Sequence, residues 1–304
     1  MKNALWGIDL GGTKIEAVVL EGLNPEAVIS RQRIDTEASK GYDHILGQIS
    51  RLIEQVSSST GISPERIGMG TPGALDPPSG GLFKNSNTTA LNGKPLKADI
   101  EKLTGLSFEI ANDANCFALA EATMGAVPEI APKAEVVFGI ILGTGVGGGI
   151  VINNKVLNGR QGIAGEWGHS FLDASGGDCY CGNNGCVERI LSGTGLQRFY
   201  ESKTGVFRKL QEISTRIESD PAAQATMDHL HHFFGKGVAN VIDLLDPDVI
   251  VVGGGVGNID SIYTEGRKMV EHFVFNPRLD TPIVKPRLGD SAGVFGAAAL
   301  VHQG

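Results

Sequence analysis

Three absences narrow the field before any motif is read in this 304-residue chain. No stretch is rich in Lys or Arg, and 26 basic against 34 acidic residues leave a net charge of −8. Such a chain has no electrostatic footprint for nucleic acid or an anionic membrane. No apolar run approaches the ~20 residues that a membrane-spanning helix needs. A strand pattern is under way by Leu5, leaving no room for a signal peptide, so the expectation is a cytoplasmic protein. Cysteine is scarce too. Of the four, Cys116 stands alone in an alanine-rich stretch and reads as packed. Cys179, Cys181 and Cys186 crowd together, a clustering more typical of metal ligation in a reducing compartment than of disulfides.

What the chain has in excess is glycine, 43 residues, roughly twice the usual share. There is no Gly-X-Y period and 41% of residues are hydrophobic, so the glycines punctuate an ordinary globular fold. Tight turns and close approach to a ligand are the physical reasons for using them. The length suggests about two domains, each able to bury a core.

Leu5 to Leu20 reads as strand, glycine turn, strand. The pattern returns from Val136 to Val156, with an Asn153-Asn154 turn inside it, and Gly-Ile-x-Leu-Gly occurs both at Gly7 to Gly11 and at Gly139 to Gly143. This repeat predicts two related domains, each opening with a glycine hairpin. Ile45, Leu46, Ile49, Leu52, Ile53 and Val56 recur at helical spacing, as do the apolar residues of Ala222 to Leu245, and Ser291 to Val301 is a last helix. Short strands are expected at Ile67 to Gly70, Phe108 to Ala111 and Val249 to Val252, with a loop from Thr71 to Gly81. Strands and helices alternate, so the class is α/β, with a natural boundary near Gly125 to Pro132.

Gly143-x-Gly145-x-x-Gly148 matches the dinucleotide fingerprint, but that motif works only where the turn opens a helix. Here a strand follows. The alternatives are a nest of backbone N–H groups around phosphate, or a tight turn with no ligand. Asp9, Thr13 and Lys14 set an acid, a hydroxyl and a cation around the first turn, a combination suited to a Mg-nucleotide, the alternative being a polar hairpin tip. Asp113, flanked by Asn112 and Asn115 where a strand meets a helix, is either part of a helix cap or a carboxylate placed to accept a proton from a substrate alcohol. His169, Cys179, Cys181 and Cys186 make a Cys3His set for a closed, structural zinc, with a redox thiol pair as the minor alternative. Glu166 and Glu188 flank it, two carboxylates suited to gripping sugar hydroxyls from a rigid frame. His229, His231 and His232 read as a solvated helix face, and Phe273 and Phe275 as core or interface packing.

Taken together, Asp9-Leu-Gly-Gly-Thr-Lys14, Gly70-Thr-Pro-Gly73, Asn112-Asp113-Ala-Asn115, Leu142-Gly-Thr-Gly-x-Gly-Gly-Gly149, Glu166-x-Gly168-His169, Cys179-x-Cys181-Gly-x-x-Gly-Cys186-x-Glu188 and Asp246-Pro-Asp-x-x-Val-x-Gly-Gly-Gly255 resemble the ROK family of sugar kinases and repressors. The resemblance covers essentially the whole chain. It implies the actin/hexokinase-like fold, two RNase H-like α/β domains with a cleft between them. The expected domains are residues 1–122 with 290–304, and residues 123–289 carrying the zinc insertion. It further implies that Asp113 is the general base on the sugar's primary hydroxyl. Asn87, Asn112, Glu166, His169 and Glu188 would bind sugar. Asp9, Gly11, Gly12, Thr13, Lys14, Gly143, Thr144, Gly145 and Gly254 would surround Mg-ATP. The family's repressors carry a DNA-binding segment before the first hairpin, for which this chain has no room. The stretch Lys84 to Gly93, with Ala164 to His169 and Phe273 to Phe275, looks most like the fructokinase/mannokinase branch, with N-acetylglucosamine kinases and glucokinases next. Ala90-Leu91 departs from the family, where a Trp is common. A homodimer and a hexose 6-phosphotransferase using ATP, Mg2+ and structural Zn2+ are the expectation, with a sugar-sensing protein as the reading from another class.

Overall fold

Two five-stranded mixed sheets organise the chain, and their strand orders correspond position by position. The computed structural model describes residues 4–76, 82–84 and 88–302. In the first sheet β1 (Ala4–Leu10), β2 (Lys14–Glu21) and β3 (Val28–Asp35) form an antiparallel meander, and β4 (Arg66–Thr71) lies parallel to β1. After a small hairpin of β5 (Ala74–Asp76) and β6 (Leu82–Lys84), β7 (Ser107–Asn112) runs parallel to β4, giving the order β3-β2-β1-β4-β7. The second sheet holds β8 (Val136–Leu142), β9 (Val146–Ile152), β10 (Lys155–Val156), β11 (Val249–Gly253) and β12 (Ile283–Val284) in the order β10-β9-β8-β11-β12. There too a glycine hairpin opens the sheet, and the fourth strand is parallel to the first. The repeated Gly-Ile-x-Leu-Gly ends β1 in one sheet and β8 in the other, so the sequence repeat is a repeat of structure. Asn153 and Asn154 form the left-handed turn between β9 and β10, at φ 50° and 60°.

The chain divides into two compact units, Met1–Lys133 with Gly149–Gly165 and Arg287–Gly304, and Ala134–Gly148 with Glu166–Pro286. The first unit also carries α1 (Tyr42–Thr60), α2 (Leu96–Thr104), α3 (Asp113–Thr123) and the short α4 (Val127–Ile130). The stripe Ile45, Ile49, Leu52 and Val56 of α1 is buried in a core with Trp6, Ile8, Ile15 and Val19. The second unit carries α5 (Val187–Leu191), α6 (Gly193–Thr204), α7 (Leu210–Ser214), α8 (Pro221–Leu245), α9 (Gly254–Gly257) and α10 (Glu265–Phe273). The start of α8 is capped by Asp220, which accepts from the N–H groups of Ala222 and Ala223.

The last helix, α11 (Ala292–Leu300), returns to the first unit and is buried along nearly its whole length. Its seat is made of glycine. Strand alternation turns Gly7 away from the α1 side, where Trp6 and Ile8 point. A Cβ at Gly7 would stand 2.4 Å from the Val294 carbonyl oxygen, and one at Gly68 only 1.7 Å from that of Ala297. On the helix itself a Cβ at Gly296 would stand 1.7 Å from the Cys116 carbonyl. Backbone therefore meets backbone without intervening side chains. Behind this contact Glu121 of α3 is wholly buried, and its carboxylate accepts from the N–H groups of Ala126 at 2.8 Å, Arg287 at 3.0 Å and Leu288 at 2.9 Å. A buried charge is tolerable only when satisfied in this way.

Several sequence expectations need correction. The loop expected from Thr71 to Gly81 contains β5. His231 is buried and shares a 2.7 Å hydrogen bond with Ser261, while His229 stacks on Phe199 with ring centroids 4.0 Å apart, so only His232 of the three lies on an exposed face. Phe275 is 93% exposed rather than packed, because the chain leaves α10 at Val274 and turns outward. Among the described residues no helix is long and apolar enough to cross a membrane.

Candidate functional site

In the first unit the predicted nucleotide residues cluster at the β1–β2 turn. The Gly11 N–H donates to the Lys14 carbonyl at 2.9 Å, and Thr36, fully buried after β3, holds the turn from behind. Its hydroxyl donates to the Gly11 carbonyl at 2.7 Å and its N–H to the Thr13 carbonyl at 2.8 Å. Gly12, Thr13 and Lys14 are left exposed. Asp9 is the penultimate residue of β1, in register with Glu16 on β2 and Gly70 on β4. Its carboxyl is pushed up to about 6, first by burial and then by the charges of Asp113 and Glu16.

Asp113 is the first residue of α3, at the carboxyl end of β7. Asn112 caps this helix, accepting from the Asn115 N–H at 2.7 Å, so the capping reading holds for the asparagine. Asp113 itself is open to solvent, with one oxygen accepting from the Ala114 N–H at 2.8 Å. It is nevertheless recessed in enough protein that desolvation raises its carboxyl above the ordinary value. A carboxylate that a ligand can reach, and that holds a proton more readily than usual, has the properties of a general base.

In the second unit the Gly143 N–H donates to the Gly145 carbonyl at 2.9 Å, closing the counterpart of the first turn. The strand β9 follows directly, and a dinucleotide-binding helix N-terminus is excluded there. A cleft of about 350 Å3 is lined by Gly143, Thr144, Thr194, Gln197, Gln211 and Gly255 among others. Gly254 has φ +83°, and a Cβ there would lie 2.4 Å from the Leu142 carbonyl, so glycine is required on both counts.

The ligand atoms of His169, Cys179, Cys181 and Cys186 all lie within 4.8 Å of one another. Zinc held tetrahedrally at ~2.3 Å from sulfur places neighbouring sulfurs about 3.8 Å apart. Cys181 Sγ and Cys186 Sγ stand at 3.6 Å, and Cys179 Sγ is 3.7 Å from His169 Nδ1, so the four residues fit such an ion. His169 Nε2 meets the Tyr180 hydroxyl at 3.0 Å, which leaves Nδ1 as the ligand atom. Positive φ at Gly177, Gly182 and Gly185 lets the loop wrap this tightly.

Glu166 heads the 3-10 turn Trp167–His169 and is half-buried. Glu188, in the first turn of α5, accepts from the Val146 N–H at 3.0 Å. Asn87 lies outside the described residues. Of the Ala90-Leu91 pair, Leu91 is fully buried in the core of the first unit and Ala90 packs against that core.

Two α/β sheets of matching order, each opened by a glycine hairpin, define the actin/hexokinase-like class of protein. The chain belongs to the ROK family, whose family profile matches residues 5–304. It is 36% identical over 307 residues to an N-acetyl-D-glucosamine kinase of Vibrio cholerae, covering 97% of this chain and 98% of that one. Among solved structures it is similar to a ROK hexokinase from Thermus thermophilus, at 30% identity and a TM-score of 0.89 over 99% of this chain and 100% of the other. A ROK glucokinase from Streptomyces griseus, solved with glucose and AMPPNP, matches at 30% identity and a TM-score of 0.76 with the same coverage.

Some residues at these sites escaped sequence reasoning. Thr36 gave no signal because it acts on the turn from a distant point of the chain, just after β3. Thr88 has a buried hydroxyl without a partner among the described residues, and it lies 3.2 Å from where a Cβ on Gly12 would be. Gln197 and Gln211 line the cleft in the second unit from helices with no recognisable motif.

Proposed function

We propose that the chain is an ATP-dependent sugar kinase of the cytoplasm that phosphorylates the 6-hydroxyl of N-acetylglucosamine. The observation that carries the kinase reading is the pairing, within the first unit, of a solvent-accessible Asp113 of raised pKa with the acid-bearing turn at Asp9. The relatives favour N-acetylglucosamine over fructose, reversing the order in which the sequence resemblance ranked the sugars.

In this reading Asp113 orients the sugar hydroxyl and takes its proton late, as a weak base suits a phosphoryl transfer with little nucleophile activation. Asn87, Asn112, Glu166, His169 and Glu188 hold the sugar. The turns at Gly11, Gly12, Thr13 and Lys14 and at Gly143, Thr144 and Gly145, with Gly254, offer backbone N–H groups and one cation to ATP phosphates. Asp9 would hold Mg2+ through water, and the ion when bound neutralises charge on the phosphates. The Cys3His cluster would hold a structural zinc that fixes the frame of Glu166 and Glu188. A homodimer belongs to the same reading and is checked by light scattering.

A coupled ADP-release assay across N-acetylglucosamine, N-acetylmannosamine, glucose, mannose and fructose tests the function. N-acetylglucosamine should give the highest kcat/KM. Asp113→Asn should abolish turnover while nucleotide binding persists. A purified protein that releases no ADP with any of these sugars would be a sugar sensor, not a kinase.

A further inference from the structure

The second glycine turn is fastened at three points to one short segment of the same unit. The Val146 N–H donates to Glu188 Oε2 at 3.0 Å, the Gly193 N–H to the Gly143 carbonyl at 2.8 Å, and the Thr194 hydroxyl to the Thr144 carbonyl at 2.9 Å. That segment begins two residues beyond Cys186, the last member of the Cys3His cluster. Contact is so close that a Cβ on Gly145 would stand 2.5 Å from Glu188 Oε2. Val146 is approached from its other side as well. A Cβ on Gly168, the neighbour of His169, would be 2.3 Å from the Val146 carbonyl oxygen.

The fastening segment is itself fixed. Ile190, Leu191 and Ser192 are 2%, 0% and 1% exposed, and the Ser192 hydroxyl caps α6 by accepting from the Gly195 N–H at 2.9 Å. A glycine turn free in solution samples many conformations, and ordering it on a ligand costs affinity. A turn already pinned at both ends does not incur that cost again on binding. A carboxylate beside a phosphate-binding turn is electrostatically adverse, so what Glu188 contributes at Val146 is an acceptor in the right place rather than a negative charge.

We propose that Glu188 and Thr194 are positioning residues for the nucleotide turn, so that the frame built at the Cys3His cluster sets nucleotide affinity independently of sugar. The proposal rests on the kinase reading of Gly143 to Gly145. It gives Glu188 a role in the sugar-free protein, where an action on sugar alone would leave it idle.

Titration calorimetry with Mg-ADP in the absence of sugar separates the two. Loss of one such hydrogen bond, in Glu188→Ala or Thr194→Val, should weaken Mg-ADP binding about fivefold. Glu188→Gln keeps an acceptor for the Val146 N–H and should stay within about twofold of the parent protein. Thr194→Val removes a separate hydrogen bond and leaves Glu188 and the four Cys3His residues unchanged, which keeps the test valid if Glu188→Ala fails to fold. Parental Mg-ADP affinity in both Glu188→Ala and Thr194→Val overturns the proposal. Equal weakening by Glu188→Gln and Glu188→Ala overturns the acceptor role. A parent protein that does not bind Mg-ADP at all brings down the kinase reading itself.

Discussion

Asp9 and Glu16 face each other across the β1–β2 pair, two carboxylates in register on one face of the sheet. Glu16 is neutralised by Arg31 at 2.6 Å and Arg33 at 2.8 Å and is held below the usual carboxylate range despite its burial. Among the described residues Asp9 makes no ion pair; burial with its acidic neighbours lifts it to about 6 against a smaller opposing effect of the Arg33 charge. The folded protein therefore binds a proton at Asp9 between about pH 4 and 6 that the unfolded chain does not. Stability from this group is present at low pH and is lost as pH rises through 6. At pH 7 the ionised Asp9 costs up to about 3 kcal/mol. Asp9→Asn should thus raise Tm at pH 7, with the gain shrinking toward pH 4, while weakening Mg-ATP binding. In the parent protein kcat/KM for Mg-ATP should fall as pH drops through about 6. A Tm difference that does not change with pH would refute the assignment.

Glu121 supports the opposite case, a buried carboxylate that stabilises. Its acceptors serve the backbone N–H groups of Ala126, Arg287 and Leu288. Removing it leaves these donors orphaned in the interior. Glu121→Ala should cost about 3–5 kcal/mol, seen as a fall in Tm and in the urea midpoint. Glu121→Gln should fall less far, since one oxygen remains while its NH2 opposes an N–H. A variant as stable as the parent would show that the three bonds contribute nothing net.

The glycines show where reading a sequence stops. Their use at turns was legible at Gly11-Gly12 and at Gly143 and Gly145, because strand patterns on either side mark a hairpin; Gly147 to Gly149, read as part of that turn, lie in β9, where a Cβ on Gly149 would stand 2.6 Å from the Ala114 carbonyl oxygen. The Cys3His cluster, whose ligand atoms come within 4.8 Å of one another, was legible from spacing alone, since its three cysteines and its wrapping glycines are close in sequence. Gly7, Gly68 and Gly296 carried no such mark. Their reason is the approach of α11 from more than 200 residues away in the first two cases, and no local pattern records it. The same holds for the bond from Val146 to Glu188, for the burial of His231 against Ser261 and for the outward turn of Phe275. Each depends on which elements meet, whereas strands, helices and capping residues such as Asp220 depend on neighbours along the chain.

That distinction between kinds of glycine can be tested. Gly47 lies on the exposed face of α1 with nothing within 4 Å of an added Cβ, so Gly47→Ala should stabilise by about 0.5–1 kcal/mol through helix propensity. Gly296→Ala would drive its methyl to within 1.7 Å of the Cys116 carbonyl and should cost about 3 kcal/mol or more. Thermal melts of the two variants beside the parent check both signs. Gly296→Ala melting at the parental temperature would mean that α11 is not seated on α3 as described.

The Cys3His cluster yields the last prediction. Four protein ligands close a tetrahedron, leaving no open position for chemistry, so the ion's effect should be on structure. Cys179 and Cys186 are buried, and Cys181 is the exposed member of the set. Substituting Cys181 therefore removes a ligand with the least damage to packing. The parent protein should contain about one zinc per chain by elemental analysis, and Cys181→Ser should retain far less. Because metal-binding energy is also folding energy for the loop, Cys181→Ser should melt below the parent, and a strong chelator should lower the parent toward the variant. The Gly176 to Gly185 loop is glycine-rich with few apolar residues, and besides an ion it has only its hydrogen bonds to hold its shape, among them Cys179 N–H to the Asn183 carbonyl at 2.8 Å and Gly185 N–H to the Gly177 carbonyl at 2.9 Å. A parent protein that is free of metal yet melts at the same temperature with and without chelator would show that the loop is held by its hydrogen bonds alone.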